Sequence, residues 1–327
     1  MKPVLHIVIL NFRTPEMTLR CVETVLAETQ GMDAGITIVD NGSGDGSYDR
    51  LRAEGLARGW LDDRRVALID SGWNGGYGAG NNVGMRAGMP DGRPADLIYL
   101  LNSDAFPQPS AIARLIDHLA THVDAGIACS RLRGDDDMPH ETAFRFPSAG
   151  GEFEGAARTG PITRLLRSKV VALPQPDKTL RVDWSAGASM MIRAEVLDQI
   201  GRFDETFFLY FEETDLCRRA AARGWQTHYV WESLVTHIGS ASTGMKKWAR
   251  TPDYWYDSRQ YYFEKHHGRL GALMATLAWG AGNGLWRLRC LIQRRDHDTP
   301  PGHFGQMLRR AIASVRAGAG NDQKGTT

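Results

Sequence analysis

The stretch SGWNGGYGAGNNVG at residues 71–84 is dense in glycine and asparagine and lies between two apolar runs. Glycine lets a backbone approach a ligand closely, and open backbone N–H groups can hold phosphate oxygens. The amides of Asn74 and Asn81 add hydrogen-bonding groups at the same place. The composition is typical of a nucleotide-binding segment, or of a tight turn followed by a helix packed closely on a sheet.

Neither common phosphate-binding motif fits this stretch. A dinucleotide fingerprint requires G-x-G-x-x-G directly after the first strand of a sheet. Here GAG at 78–80 is followed by NNV, and the stretch follows the third predicted strand. The chain also contains no G-x-x-x-x-G-K-[ST] sequence.

Carboxylates form a second candidate group. The sequence FEETDLC places Glu212, Glu213 and Asp215 at the start of a predicted helix that ends at Gly224. A carboxylate within hydrogen-bond reach of a hydroxyl can act as a general base. Acids in a first helical turn are also favoured by the helix dipole alone, so both interpretations stay open.

The elements around these residues alternate between strand and helix. Strands are predicted at 4–10, 35–40, 65–71 and 95–101, and the first helix begins at Thr14-Pro15, with Thr14 as N-cap. This alternation predicts a mostly parallel sheet, in which ligands bind beyond the carboxyl ends of the strands. The four segments that follow these strands should converge on one crevice.

The rest of the chain is less regular. A helix at 109–122 and a strand at 126–130 are predicted before a loop-rich insertion at 131–181. A strand and a helix follow in 182–201, and residues 246–316 read as mostly helical.

Composition excludes several classes of protein. The 39 Lys+Arg residues balance the 38 Asp+Glu residues, so no nucleic-acid partner is expected. The 4 cysteines form no CxxC pair, and we expect them to be reduced and buried. The apolar N-terminal run contains His6 and lacks a cleavage site, so a strand and a cytoplasmic protein are predicted.

The C-terminal region combines tryptophan with arginine. Residues 270–286 are uncharged, but glycines interrupt them, and the stretch is short for a spanning helix. Trp279 and Trp286 lie close to Arg287 and Arg289. Such a composition suits peripheral contact with a membrane, and it suits a homodimer interface equally.

Taken in order, several motifs resemble those of family 2 glycosyltransferases of the GT-A fold, particularly rhamnosyltransferase-like members. The motifs are VILNFRTPEMTLRCVETVL, IVDNGSGDGS, NGGYGAGNNVGM, LLNSDAF and IGRFDETFFLYFEETDLCRRAAARGW. The resemblance implies an α/β, nucleotide-diphospho-sugar transferase fold with a mostly parallel central sheet flanked by helices. It places a nucleotide-sugar-binding half at 1–105, an acceptor-binding half at 106–245 and a helical C-terminal extension at 246–327.

The family implies transfer of a sugar from a nucleoside diphosphate donor to an acceptor hydroxyl, with inversion. A candidate donor is dTDP-rhamnose, and the product would be a polysaccharide or glycoconjugate built on a glycan or lipid-linked acceptor. The family commonly has Glu-Asp where this chain has Glu-Glu, so Glu213 inherits the role of base, with Glu212 beside it and Asp215 as the alternate.

The resemblance also implies a divalent metal, Mn²⁺ or Mg²⁺. Asp104 matches the family's Asp-x-Asp-like position, although Asn102 replaces the first carboxylate. His237 matches a downstream histidine that completes the metal or diphosphate site. An imidazole ligand favours Mn²⁺ over Mg²⁺.

The remaining matches concern the donor and the acceptor. Asp40 resembles the aspartate that accepts a hydrogen bond from a uracil or thymine imide, which implies a UDP- or dTDP-linked donor. An Asx-turn in DNGSGD is compatible with the same carboxylate. Trp184 and Gly187 match the segment that lines the sugar and acceptor pocket. The other residues implied along the nucleotide are Asn11, Arg13, Asn74, Gly75, Gly76 and Asn81.

Two alternatives stay open from the sequence. A sugar-1-phosphate nucleotidyltransferase shares a related fold, but NFRTP stands where such an enzyme carries a Gly-rich basic loop. A non-catalytic sugar-binding or scaffold subunit is the other alternative. The presence of Asp104, Glu213 and His237 argues against it.

Overall fold

The computed structural model describes residues 2–62, 64–239 and 250–322. The chain divides into two compact units. The first takes in the described residues of 1–144, 174–208 and 212–246, and the second those of 145–173, 209–211 and 247–327. The three-part division made from the sequence stays a prediction.

The first unit begins with alternating strands and helices. In chain order these are β1 (Leu5–Asn11), α1 (Pro15–Glu28), β2 (Ala34–Asp40), α2 (Ser47–Ala57), β3 (Val66–Asp70), α3 (Gly76–Ala87) and β4 (Leu97–Asn102). Strands β3, β2, β1 and β4 are neighbours in that order, and their pairings are parallel. The register pairs Asn11 with Asp40, and Asp40 with Asp70. The polar residues that end these strands therefore lie side by side, as expected.

The rest of the first unit completes the sheet. It contains β5 (Ala105–Pro107), α4 (Ala111–Thr121), β6 (Ala125–Arg133), β7 (Leu180–Val182), β8 (Ser189–Arg193), α7 (Ala194–Ile200), α8 (Glu212–Ala222) and β9 (Gln226–His237). Past β4 the order continues β8, β6, β9, β5, and β7 pairs with β9.

The second half of the sheet is mixed, whereas the first half is parallel, as the sequence predicted. Strand β8 runs antiparallel to both β4 and β6, and β9 is parallel to β6 but antiparallel to β5 and β7. The β5 segment is only 3 residues long and carries Pro107, so its local pattern is too short to predict a strand.

The glycines of 71–84 pack α3 against the sheet. A Cβ on Gly80 would lie 2.5 Å from Leu10 Cδ1, and one on Gly84 would lie 2.4 Å from Val8 Cγ1. A larger residue would push the helix away from β1. Close helix-to-sheet packing, one of the two interpretations left open by the sequence, therefore accounts for these two glycines.

The second unit is helical. It contains α5 (Ala149–Ala157), α6 (Gly160–Leu165), α9 (Asp253–Ile292) and α10 (His303–Asp322), and Gly268 breaks α9 at φ 71°. Arg259 is fully buried in it and donates to Glu152 Oε2 over 2.6 Å. Two helices thus lie within 131–181, which corrects the loop-rich expectation; α5 is rich in glycine and alanine, which weakens its apolar periodicity. No helix in the described ranges is long and apolar enough to cross a membrane.

The cysteines agree with the sequence prediction, and the start of α1 agrees in part. The 4 cysteines are buried and unpaired, as expected. Proline stands at the start of α1, but the expectation for Thr14 was wrong in one respect. Its hydroxyl does not cap the helix; it contacts Ser103 Oγ at 3.0 Å and donates to Asn11 Oδ1.

Candidate functional site

At the end of β2, the Asp40 carboxylate is held by short hydrogen bonds. Oδ1 accepts from Asn11 Nδ2 over 2.6 Å and from Ser43 Oγ over 2.7 Å, and Oδ2 accepts from the Ser43 N–H over 3.0 Å. Asp40 is 2% exposed and Asn11 is fully buried. Asp40 therefore forms the Asx-type turn, and the Asn11 amide orients it rather than pointing outward.

Arg13 lies beside this cluster and is exposed. Its Nε donates to the Ser43 carbonyl, and its backbone N–H donates to Ser43 Oγ, both over 3.0 Å. The backbone adopts φ 57° at Arg13, a conformation that is uncommon outside glycine. The turn at Ser43 thus fixes a positive charge at the carboxyl edge of the sheet.

A cavity of 410 Å³ opens next to Asp40. Its volume is within the range of small-ligand sites. Carboxylates from three elements, the glycines of two loops and one tyrosine line it: Asp40, Gly42, Gly44, Gly46, Tyr48, Asp49, Asp70 and Gly72. The cavity is the candidate site for a nucleobase.

The start of α3 is built by Asn74, Gly75 and Gly76. Asn74 Oδ1 accepts from the Gly76 N–H over 2.9 Å and from Asn41 Nδ2 over 3.1 Å. Gly76 has φ 88°, and a Cβ there would lie 1.7 Å from the Phe208 carbonyl oxygen. Only glycine fits at that position. A Cβ on Gly75 would meet the Trp73 ring at 2.7 Å.

Asn81 lies one turn further along α3 and is 1% exposed. Its Nδ2 donates to the Tyr77 carbonyl over 3.0 Å. Its Oδ1 is buried and has no hydrogen-bond partner among the described residues. A buried acceptor without a partner is costly, so this oxygen is available to a ligand or a water molecule.

Asn102, Asp104 and His237 come together although they are far apart in sequence. His237 Nε2 lies 3.2 Å from Asp104 Oδ1 and 3.4 Å from Asn102 Nδ2. The Gly239 N–H donates to Asp104 Oδ2 over 3.1 Å. Burial raises the pKa of Asp104, but the hydrogen bond and charge of His237 outweigh burial, and the net pKa lies below its usual range.

This pair can contribute ligands to a divalent cation. A carboxylate oxygen and an imidazole nitrogen suit Mn²⁺, and His237 Nδ1 is buried without a partner among the described residues. No cluster of three or more His, Cys, Asp or Glu residues with metal-binding geometry occurs in the described ranges. These residues therefore offer one carboxylate oxygen and one imidazole nitrogen to a cation, which would need further ligands from elsewhere.

At the start of α8, Glu212 and Glu213 lie beside Tyr77 and Gly187. Burial raises the pKa of Glu213 to about 7, partly offset by a hydrogen bond from the Gly187 N–H. Burial and the charge of Glu213 raise the pKa of Glu212 well above its usual range. Oε2 of each is buried without a partner in the described structure. Glu213 can thus accept a proton near neutral pH.

The structure places Asp215 differently from its neighbours. It is fully buried, and its Oδ2 accepts from Arg219 Nε over 2.7 Å. Arg219 also donates to the Ile200 and Arg202 carbonyls. Asp215 therefore holds the end of α7 to α8, and this ion pair leaves it less suited to act as a base.

Trp184 and Gly187 lie on the segment before β8. Trp184 is half-buried and stacks on Phe144, with ring centroids 4.2 Å apart. The Gly187 carbonyl accepts from Tyr77 Oη over 2.7 Å. A Cβ on Gly187 would lie 2.8 Å from Tyr77 Oη. Gly187 therefore belongs to the surroundings of Glu213.

A continuous set of contacts joins the two acidic sites. Gly187 donates to Glu213, and the carbonyl of the next residue, Ala188, accepts from the Asn102 N–H over 3.0 Å. The Asn102 side chain approaches His237, which contacts Asp104. The base candidate and the metal-ligand candidates therefore lie on either side of one short segment.

Three polar residues of this site were missed in the sequence. Ser43 could have been inferred, because its position three residues after Asp40 is typical of an Asx-turn. Asn41, which bonds Asn74, and Tyr77, which contacts Gly187, have no such local signal. Their roles depend on tertiary contacts.

Solved structures identify the class of fold. The chain resembles the mannosyltransferase PcManGT from Pyrobaculum calidifontis, solved with GDP-Man and Mn²⁺, at 12% identity and a TM-score of 0.51, over 98% of this chain and 76% of that one. It resembles GalNAc-T7, solved with UDP, GalNAc and Mn²⁺, at 13% identity and a TM-score of 0.58, over 97% of this chain and 58% of that one. The mixed sheet and flanking helices are those of a GT-A glycosyltransferase.

Residues 3–258 match the model of the family described as glycosyltransferase like family 2. The chain belongs to this family, as the sequence motifs indicated. Membership favours a glycosyltransferase over the nucleotidyltransferase alternative.

Curated relatives agree with the family. The chain is 26% identical over 278 residues to the N-acetylglucosaminyl-diphospho-decaprenol L-rhamnosyltransferase of Mycobacterium tuberculosis, covering 80% of this chain and 82% of that protein. It is 28% identical to the low-salt glycan biosynthesis hexosyltransferase Agl10 of Haloferax volcanii, covering 66% and 61%. It is 26% identical to the rhamnosyltransferase WbbL of Escherichia coli, covering 47% and 58%.

Proposed function

We propose that this protein is an inverting, metal-dependent glycosyltransferase that moves rhamnose from dTDP-rhamnose to a hydroxyl of a lipid-linked glycan acceptor. The observation that carries the proposal is Glu213, with a pKa raised to about 7 and a buried, unpartnered Oε2 within the described structure. The contacts that link it through Gly187 and Ala188 to Asp104 and His237 support the same proposal.

Glu213 acts as the general base. It accepts the proton of the acceptor hydroxyl as the oxygen attacks the anomeric carbon, and the bond to the nucleoside diphosphate breaks on the opposite face. A base whose pKa lies near the working pH is effective in such a step. Burial and the neighbouring carboxylate raise the pKa of Glu212, which favours its protonated form beside the base.

Asp104 and His237 would hold Mn²⁺ or Mg²⁺. A bound cation neutralises the negative charge that develops on the leaving diphosphate. Arg13 supplies a further positive charge at the carboxyl edge of the sheet. Manganese is the favoured ion, because the donor set includes an imidazole and both solved relatives contain Mn²⁺.

The donor base would occupy the cavity beside Asp40. Asp40 Oδ2 accepts only the Ser43 N–H among the described residues, which leaves it a lone pair for the imide N–H of thymine or uracil. The Asn81 oxygen and the residues at the start of α3 would lie along the nucleotide. Trp184 and Gly187 would line the sugar and acceptor pocket.

The acceptor is proposed from a relative. The Mycobacterium tuberculosis protein is named for an acceptor with a decaprenyl diphosphate. A polyprenyl acceptor places the reaction at a membrane surface. We therefore also propose that the enzyme works in the cytoplasm, in peripheral contact with the inner face of the plasma membrane.

A thermal-shift panel tests the donor assignment. The protein is heated with UDP-, dTDP- and GDP-sugars, each with and without Mn²⁺, because selective binding to the folded state raises Tm. The largest rise is expected with dTDP-rhamnose and Mn²⁺ together. A rise with GDP-sugars alone would overturn the assignment of Asp40.

A further inference from the structure

The C-terminal part of α9 has an unusual distribution of side chains. Gly268 ends the first part of the helix, and residues 269–292 continue for about 36 Å at 1.5 Å per residue. This segment packs against α5 and α10 within the second unit. A Cβ on Gly282 would lie 2.4 Å from the Phe153 carbonyl oxygen, so the helix approaches α5 closely.

Mostly small and polar residues form the buried side of this segment. They are Ala272, Ala275, Thr276, Gly282, Asn283, Trp286 and Cys290. Trp286 is the only large apolar side chain in this set. The buried side is therefore less apolar than is usual for a helix that packs on a protein core.

Large apolar residues occupy the opposite side and face solvent. Their exposed fractions are 69% for Leu270, 59% for Met274, 44% for Leu277, 44% for Leu285, 53% for Leu288, 75% for Leu291 and 73% for Ile292. Their spacing places them along one side of the helix. Contiguous exposed apolar surface of this kind marks an interaction site.

The charges around this apolar stripe have one sign. Lys265, Arg269, Arg287, Arg289, Arg294 and Arg295 lie in or next to the segment. The sequence contains no acidic residue between Glu264 and Asp296. The surface therefore combines an apolar stripe with basic residues at both ends.

We propose that the exposed stripe of α9 docks this protein on an anionic lipid bilayer, with the helix lying in the plane of the membrane surface. Leucine, methionine and isoleucine side chains enter the boundary between headgroups and acyl chains, and the arginines bind lipid phosphates. The helix lies on the membrane and does not cross it, which agrees with its apolar length.

The charge pattern favours lipid over a second copy of the chain. A symmetric dimer through this stripe would bring the basic end at 287–295 against a basic end of the other copy, whether the two helices ran parallel or antiparallel. Like charges oppose such pairing. Anionic lipid headgroups neutralise the same charges.

Vesicle flotation with the full chain tests the proposal. The protein is mixed with vesicles of phosphatidylcholine alone or of phosphatidylcholine with phosphatidylglycerol. Flotation is expected with the anionic vesicles only, and high salt should weaken it. No flotation with either vesicle would overturn the proposal.

Two double variants identify the surface. The double variant Leu288→Gln with Leu291→Gln should weaken vesicle binding about tenfold or more. The matched control is Val123→Gln with Leu165→Gln, at residues that are 78% and 83% exposed. This control should leave vesicle binding unchanged. The double variant Arg287→Gln with Arg294→Gln should weaken vesicle binding on the order of 20-fold. The control Arg52→Gln with Arg64→Gln should leave vesicle binding unchanged. Equal flotation of the α9 variants and the wild type would contradict the proposal.

Light scattering without lipid provides the remaining outcome. A dimer that the leucine variant dissociates would assign the stripe to self-association and overturn lipid docking. The proposal goes beyond the transfer reaction and does not depend on it. Donor binding, measured by thermal shift on the same variants, stays at the wild-type level if only the docking surface is lost.

Discussion

The Glu213 carboxylate accepts a hydrogen bond from the backbone N–H of Gly187. The carbonyl of the same glycine accepts from Tyr77 Oη over 2.7 Å, so Gly187 is held on both sides of its backbone. Glu213 and Gly187, which the sequence linked only through a family resemblance, are thus in contact. The contact fixes the position of Glu213 relative to the segment 187–188, whose Ala188 carbonyl accepts from the Asn102 N–H.

The pH dependence of transfer should report the carboxyl of Glu213. Only the deprotonated form can accept a proton, and burial raises the pKa of this group to about 7. We expect kcat/KM to rise with pH and to level off above about pH 7. A profile already flat above about pH 5, as an ordinary glutamate gives, would contradict the assignment.

The same raised pKa predicts a change in stability. Between the ordinary pKa of glutamate and about 7 the folded state binds more protons than the unfolded state, so the free energy of unfolding falls as pH rises. Glu213→Gln removes this cost and should stabilise the protein by up to about 3 kcal/mol near pH 8, with little effect near pH 4. Urea unfolding at the two pH values measures the difference. A uniform destabilisation would indicate lost packing instead.

Binding of nucleoside diphosphate should depend on Asp104 only when metal is present. Asp104→Asn removes an anionic ligand, so we expect the Kd of dTDP in Mn²⁺ to rise about 10- to 100-fold. Without metal the Kd should be unchanged. Titration calorimetry measures both values, with Asp62→Asn, at an exposed loop position, as the control. Equal Mn²⁺ dependence in the variant and the wild type would exclude Asp104 as a ligand.

Gly76 and Gly155 give opposite expectations for the same substitution. Gly76→Ala places a methyl group 1.7 Å from the Phe208 carbonyl oxygen at φ 88°, and should destabilise the protein by about 2 to 4 kcal/mol. Gly155 is helical and its Cβ would meet nothing within 4 Å, so Gly155→Ala should stabilise α5 by up to about 1 kcal/mol. Thermal unfolding compares them. A neutral effect at Gly76 would show that the start of α3 can shift.

The sequence predicts the first half of the sheet well because each of its strands is a local apolar run bounded by turns. Strands β1, β2, β3 and β4 lie within two residues of their expected limits. The antiparallel β8 could not be foreseen, because its direction depends on pairing with β4 and β6 across long sequence separations. The same holds for β5, which forms only by pairing with β9.

The site divides in the same way. Asp40 and Ser43 lie in one turn, so their contact is local and readable. His237 meets Asp104 only because β9 pairs with β5, which brings together residues that are far apart in the sequence. Asp215 was a third candidate acid at the start of α8. Its ion-pair partner, Arg219, follows one helical turn later. This i,i+4 spacing could have predicted the ion pair from the sequence.

The most direct test of Glu213 as the base measures nucleoside diphosphate release from dTDP-rhamnose in the presence of N-acetylglucosaminyl-diphospho-decaprenol and Mn²⁺. We compare the wild type, Glu213→Gln and the control Glu195→Gln, which alters an exposed acid. The assignment of Glu213 as the base predicts that Glu213→Gln loses about 10² to 10⁴-fold in rate while its donor-induced Tm rise persists, and that the control keeps full activity. Wild-type rates in Glu213→Gln would contradict it.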